Sequence, residues 1–210
     1  MKLQSIAQGF IELILPIECG GCGEAGSRLC RKCRQVWEAP PQRVSTRIQQ
    51  HIPVYSLGAY GGARAKTILS MKERGRLDLT QHVGAVLRAA IVNMQFHGHV
   101  PEAIALVPAP TTRRNERLRG GDPVHLACEA SGIPSAQILR TSAAARDSAD
   151  LSAAERKMNI SGSIELLGMI DGPIVLVDDV ITTGATLAAS VAVLQSAGMN
   201  VVAALGFSHA

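Results

Sequence analysis

Residues Ile174–Leu187 read IVLVDDVITTGATL. The run from Ile174 to Asp178 is apolar and rich in β-branched residues, the pattern of a strand buried in a parallel sheet. Two adjacent carboxylates, Asp178 and Asp179, stand at its C-terminal end. A turn of small residues follows, Thr182, Thr183, Gly184, Ala185 and Thr186. Apolar residues at Leu187, Val191 and Leu194 then mark a helix closed by Gly198. Strand, small turn and helix make an anion cradle. Gly184 accepts torsions that other residues resist, and the loop N–H groups and the helix N-terminus can point at a phosphate. Thr182, Thr183 and Thr186 add hydroxyl donors. The paired acids can accept hydrogen bonds from neighbouring sugar hydroxyls or assist a divalent cation. The expected ligand is a phosphorylated sugar, with its phosphate in the loop and its hydroxyls on the acids.

Two other phosphate motifs are excluded. A Walker A loop needs Gly-Lys-Ser/Thr, and this turn has no lysine. The dinucleotide fingerprint needs three spaced glycines, and only Gly184 is present.

The chain has 210 residues, room for one α/β domain with a small appendage. Apolar residues make up 47% of it, enough for a core, whereas aromatics make up 3%, too few for extensive stacking on nucleic-acid bases. A net charge of +4 permits anionic ligands without demanding nucleic acid. The apolar run near Phe10–Ile17 is interrupted by Glu12 and is too short to span a bilayer. Ile6, Phe10, Leu13, Ile14 and Ile17 recur at helical spacing, which predicts an amphipathic helix that ends near Pro16 and packs on the rest of the protein. A cytoplasmic location is the expectation.

Cys19, Cys22, Cys30 and Cys33 form two C-x-x-C pairs separated by seven residues. Such pairs can place four thiolates around one zinc ion, and an all-cysteine set leaves no open position, so the expected site is structural. Arg28, Arg31, Lys32 and Arg34 would offset its negative charge, and Trp37 is expected to pack against it. Cys128 reads as a buried apolar residue.

Residues 1–45 are thus read as an amphipathic helix with a zinc module. The Pro40–Gln50 stretch reads as a linker, and residues 52–210 as the α/β domain. Within that domain the pattern predicts a strand at Val54–Tyr60, a helix over Ala63–Met71, and another carrying Leu79, Val83, Val86, Leu87 and Ala90. Lys66, Lys72, Arg74 and Arg76 form a basic cluster between them. A strand at Ala103–Val107 leads through Pro108-Ala109-Pro110 into a loop carrying Arg113, Arg114, Arg117 and Arg119. Arginine suits phosphate because its planar fork donates two hydrogen bonds at once, so this loop is a second anion site. A helix over Val124–Ala130 and strands at Ile164–Leu167 and Asn200–Phe207 complete the domain. Ser152 with Glu155 is a capping box, so a short helix begins in Leu151–Asn159.

These landmarks come in a recognisable order: cysteine knuckles, Lys72-Glu73-Arg74-Gly75-Arg76, Val107-Pro108-Ala109-Pro110 with its arginines, Leu151-Ser152-Ala153-Ala154-Glu155-Arg156, and VDDVITTGAT. The chain resembles the ComF family of phosphoribosyltransferase-like proteins, which is associated with DNA uptake in bacterial competence. The resemblance implies a type I phosphoribosyltransferase fold. It implies that Asp178 and Asp179 hold the ribose hydroxyls of phosphoribosyl pyrophosphate and that Thr182–Thr186 hold its 5-phosphate. It further implies that Arg113, Arg114 and their neighbours meet the pyrophosphate with Mg²⁺ bridging, and that Leu151–Asn159 is a mobile catalytic loop. Where family members have Arg-Gly-Phe-Asn-Gln, this chain has Arg119-Gly120-Gly121-Asp122-Pro123. Where they have Gln-Thr-Gly-Leu, it has Ser148-Ala149-Asp150-Leu151. The zinc module, the arginine loop and these departures motivate an alternative, a non-catalytic adaptor for DNA uptake that binds single-stranded DNA or DNA-uptake proteins.

Overall fold

The computed structural model describes residues 17–142 and 164–210. The predicted N-terminal helix, apart from Ile17, and the Leu151–Asn159 helix lie outside the described residues. The chain adopts the expected α/β class with a mostly parallel sheet. In order, the elements are α1 (Arg31–Gln35), β1 (Gln42–Arg43), β2 (Val54–Ser56), α2 (Gly62–Glu73), a 3₁₀ turn (Leu77–Leu79), α3 (Thr80–Phe96), β3 (Ala105–Pro108) and α4 (Arg113–Arg119). They continue with α5 (Pro123–Ala130), β4 (Leu139–Thr141), β5 (Ile164–Leu166), β6 (Pro173–Ile181), α6 (Ala185–Ser196) and β7 (Asn200–His209).

The main sheet has the order β1-β2-β7-β6-β3. Its pairings are parallel except that of β1 with β2. The interior strand β6 is buried on both faces, as its apolar run requires. Val175 and Val177 pack with Met71, Leu87, Ile91 and Cys128 on one side. Ile174 and Leu176 pack with Leu187, Val191 and Leu194 of α6 on the other. β4 and β5 form a separate antiparallel pair, and Leu139 and Leu166 join the α6 side of the core.

Three expectations are corrected. The strand that was to stop at Asp178 runs on to Ile181, because β7 continues beside it and pairs Ile181 with His209. The arginine stretch, read as a loop because it lacks apolar periodicity, is helix α4. Thr112 caps its N-terminus by accepting the Asn115 N–H at 3.2 Å, and Gly120 ends it in the left-handed region at φ +73°. The stretch read as a linker is structured as well: Gln42 and Arg43 add a strand at the sheet edge, and Val44 N–H donates to the Val54 carbonyl at 2.9 Å.

The cysteine segment docks onto the same core. Cys19, Leu29, Cys33 and Trp37 are buried with Ile68, Leu79 and Val83. Ser70 Oγ donates to the Gly20 carbonyl at 3.0 Å, and Arg76 Nη1 donates to the Glu18 carbonyl at 2.9 Å. The Arg64 guanidinium lies 5.2 Å from the centre of the Trp37 ring.

Helices α3 and α5 cross at Gly84. A Cβ there would meet the Ala127 carbonyl oxygen at 2.8 Å and the Ala130 carbonyl carbon at 2.8 Å, both backbone atoms that cannot turn aside. Alanine gains about 1 kcal/mol of helix propensity over glycine, but overpacking of a close crossing costs roughly 1–3 kcal/mol. Gly84→Ala is therefore expected to lower unfolding free energy, by about 1 kcal/mol net, and urea denaturation measures it.

Candidate functional site

The sheet itself makes the site. β3 pairs with β6 only as far as Pro108 with Val177, whereas β7 stays paired to Ile181. Past Val177, β6 has one open flank, and Asp178 and Asp179 lie on this stretch. Opposite them the chain leaves β3 through Ala109-Pro110-Thr111 into α4. The space between is a cleft of about 250 Å³, lined by Asp178, Asp179, Thr186, Thr111, Thr112, Asn115, Asp122, Lys72 and Arg119 among others.

The acids are held by short local bonds. Asp179 N–H donates to Asp178 Oδ1 at 2.8 Å, and Val180 N–H donates to Asp179 Oδ1 at 2.7 Å. Burial, with the charge of Asp179 beside it, pushes the Asp178 carboxyl up to about 7, although the Asp179 N–H and Lys72 oppose this. Asp179 meets Lys72 Nζ at 2.7 Å. Lys72, predicted only as one of a basic cluster, is thus the cation of the acid pair, and α2 carries it into the cleft. Its companion Arg76 is engaged elsewhere, on Asp78 at 2.8 Å.

Sequence reasoning did not assign Asp122 to the site. It is 5% exposed, caps α5 by accepting the Val124 N–H at 2.9 Å, and lines the cleft. Burial raises its carboxyl above the ordinary range. Asp-Pro at a helix start is a capping signal, but nothing local tells that it opens onto the acids of β6.

The Thr182–Thr186 turn follows β6 directly. Gly184 has φ +81° and serves as the N-cap of α6, so the glycine is required by the turn itself. Thr186 lies at the cleft; Thr182 and Thr183 are exposed, and Ala185 N–H donates to Thr183 Oγ1 at 3.3 Å. Of the arginines, Arg119 lines the cleft, where its Nε donates to the Lys72 carbonyl at 2.7 Å. Arg113 and Arg114 are exposed on α4 and are not among the lining residues.

The four sequence-predicted thiols come together. The Sγ atoms of Cys19, Cys22, Cys30 and Cys33 lie within 4.8 Å of one another, and those of Cys22 and Cys30 are 3.7 Å apart. A tetrahedral zinc with Zn–S bonds of about 2.3 Å needs sulfur separations of about 3.8 Å, so the cluster could hold zinc. Cys30 N–H and Gly21 N–H point at Cys19 Sγ, at 3.3 and 3.4 Å. Burial pushes the Cys19 thiol up, but these N–H groups and that of Cys22 outweigh it and leave the thiol at about 6. This is the only cluster of three or more ligand groups among the described residues. No described helix is long and apolar enough to cross a membrane.

No protein-family model matches the chain, and no curated protein matches it. Among solved structures, a hypoxanthine phosphoribosyltransferase from Staphylococcus aureus overlays on 62% of this chain at 11% identity, with a TM-score of 0.33. The overlay spans 62% of that enzyme's own chain. Likeness of this degree assigns neither fold family nor activity.

Two outcomes are expected. The purified protein carries about one zinc per chain by elemental analysis, and Cys33→Ser loses the metal and lowers Tm; full metal-free stability would exclude the structural role. The second concerns pH. Between the unfolded value of 3.8 and the folded value of about 7, the native state holds the Asp178 proton more tightly than the unfolded chain does. Stability therefore falls as pH rises through that window, and Asp178→Asn is expected to flatten the fall in denaturation curves taken at several pH values between these limits.

Proposed function

We propose that this protein binds phosphoribosyl pyrophosphate together with Mg²⁺ and transfers the phosphoribosyl group to an acceptor. The fold would then be that of a type I phosphoribosyltransferase carrying a structural zinc module. One observation carries this reading. The paired acids on the open flank of β6 and Thr186, beside the left-handed Gly184 at the start of α6, line one cleft. Its volume of about 250 Å³ suits a group of sugar-phosphate size. The ComF-like order of motifs supports the same substrate.

In this reading the N–H groups of the Thr182–Thr186 loop and the N-terminus of α6 take the 5-phosphate. Asp178 and Asp179 accept the ribose hydroxyls. The acceptor attacks the anomeric carbon, and the C–O bond to pyrophosphate breaks with the electron pair leaving on oxygen. Lys72 and Arg119 supply positive charge on the cleft wall toward that leaving group. The donor set fits Mg²⁺, which commonly takes one or two carboxylates and completes its shell with phosphate oxygens and water. When bound, the ion would neutralise pyrophosphate charge. Asp178 accepts hydrogen bonds, or an ion, with both oxygens only when deprotonated, so ligand binding should tighten as pH rises through about 7.

Calorimetric titration with phosphoribosyl pyrophosphate and Mg²⁺ tests the proposal. Micromolar binding is expected in the wild-type protein. It should be lost in the Asp178→Ala/Asp179→Ala double variant, whose folding is checked by circular dichroism and zinc content. Equal affinity in the double variant overturns the assignment of the acids.

A further inference from the structure

The anion loop is held from behind by the segment Thr46–Gln50. Gln50 Nε2 donates to the Gly184 carbonyl at 3.0 Å and to the Ile48 carbonyl at 2.9 Å. Ile48 N–H donates to the Thr183 carbonyl at 3.0 Å. Thr46 Oγ1 donates to the Ile48 carbonyl at 2.6 Å, bracing the segment on itself. Thr46 also fills the space beside Gly184: a Cβ on the glycine would meet Thr46 Cβ at 2.8 Å.

A peptide loop binds an anion through its N–H groups only when its carbonyls face away, because a carbonyl oxygen turned inward repels a phosphate. The two carbonyls at the crown of this loop, those of Thr183 and Gly184, both have donors behind them. The Thr183 carbonyl takes the Ile48 N–H, and the Gly184 carbonyl takes Gln50 Nε2 together with the Ala188 N–H of α6 at 2.9 Å. We infer that Gln50 is a positioning residue for phosphate binding: it adds a side-chain donor to the Gly184 carbonyl and, through the Ile48 carbonyl, steadies the segment whose Ile48 N–H holds the Thr183 carbonyl, which keeps the loop's N–H groups aimed at the ligand. This rests on the proposed phosphosugar site. It adds a residue from a segment with no phosphate motif of its own, 134 residues away in sequence.

The test uses ribose 5-phosphate and ribose as probes, with the full-length zinc-loaded protein and amide NMR of Gly184, Ala185 and Thr186 as the readout. Gln50→Met keeps side-chain bulk and removes the donor. It is expected to weaken ribose 5-phosphate binding about tenfold, the worth of one lost hydrogen bond, with little change for ribose. The neighbouring Gln49→Ala, which is exposed, serves as the control and should leave both affinities unchanged. Wild-type binding that Gln50→Met leaves intact overturns the positioning role alone. Equal weakening for ribose and ribose 5-phosphate also overturns it, because the effect would then be general destabilisation. Loop amides in the wild-type protein that do not respond to ribose 5-phosphate overturn the phosphosugar reading itself, and the role of Gln50 with it.

Discussion

A strand enclosed by neighbours on both edges and packed on both faces can carry charge only where one neighbour ends. β6 obeys this constraint. Its first residues are apolar and its acids begin just past Val177, where β3 has stopped pairing while β7 continues. The two carboxylates still share a partly enclosed site, and each responds differently to the cost of desolvation. Asp178 holds its proton more tightly, and Asp179 takes Lys72 as partner. The cleft, its single-sided opening and the approach of α2 and α4 all follow from the unequal lengths of two neighbouring strands.

What could be read in the chain was whatever is encoded within a dozen residues. The apolar run of β6, the glycine at the turn and the periodicity of α6 are local, and they appear nearly as expected. The cysteine spacing is local as well, and the four thiols converge. The extension of β6 to Ile181 was hidden because it depends on the tail of β7, a pairing between distant segments. The helix at Arg113–Arg119 was missed for another reason. Its capping residues, Thr112 and Gly120, were present, but an exposed helix without an apolar stripe gives no periodic signal. Lys72 was noticed as one of several cations, and only tertiary contact distinguishes it from Arg76, whose charge is already taken by Asp78. Asp122 and Gln50 lie in stretches whose local patterns say cap and linker, and their place beside the cleft or its loop is set by the packing of the whole sheet.

The segment between the cysteine module and the sheet has two tasks. It closes the sheet edge with β1, where the antiparallel pairing to β2 leaves a strand of only two residues facing outward, too short to template association with another chain. It then turns beneath the Thr182–Thr186 loop. The route out of the thiol cluster is therefore continuous with the support of the loop, and a change that loosened residues 38–50 would be felt at the sheet edge and at the loop together.

Trp37 is the only tryptophan in the sequence, and it sits 2% exposed between the cysteine module and the sheet, with a cation held over its ring. Nature has thus placed a lone fluorophore at the seam between the thiol cluster and the rest of the chain, away from the residues that line the cleft. Its emission colour is a private optical channel for the state of that seam. Loosening of the thiol cluster would open that seam to water and shift the emission to the red, while changes confined to the cleft would leave the colour alone, so one cuvette could follow the two halves of the molecule separately.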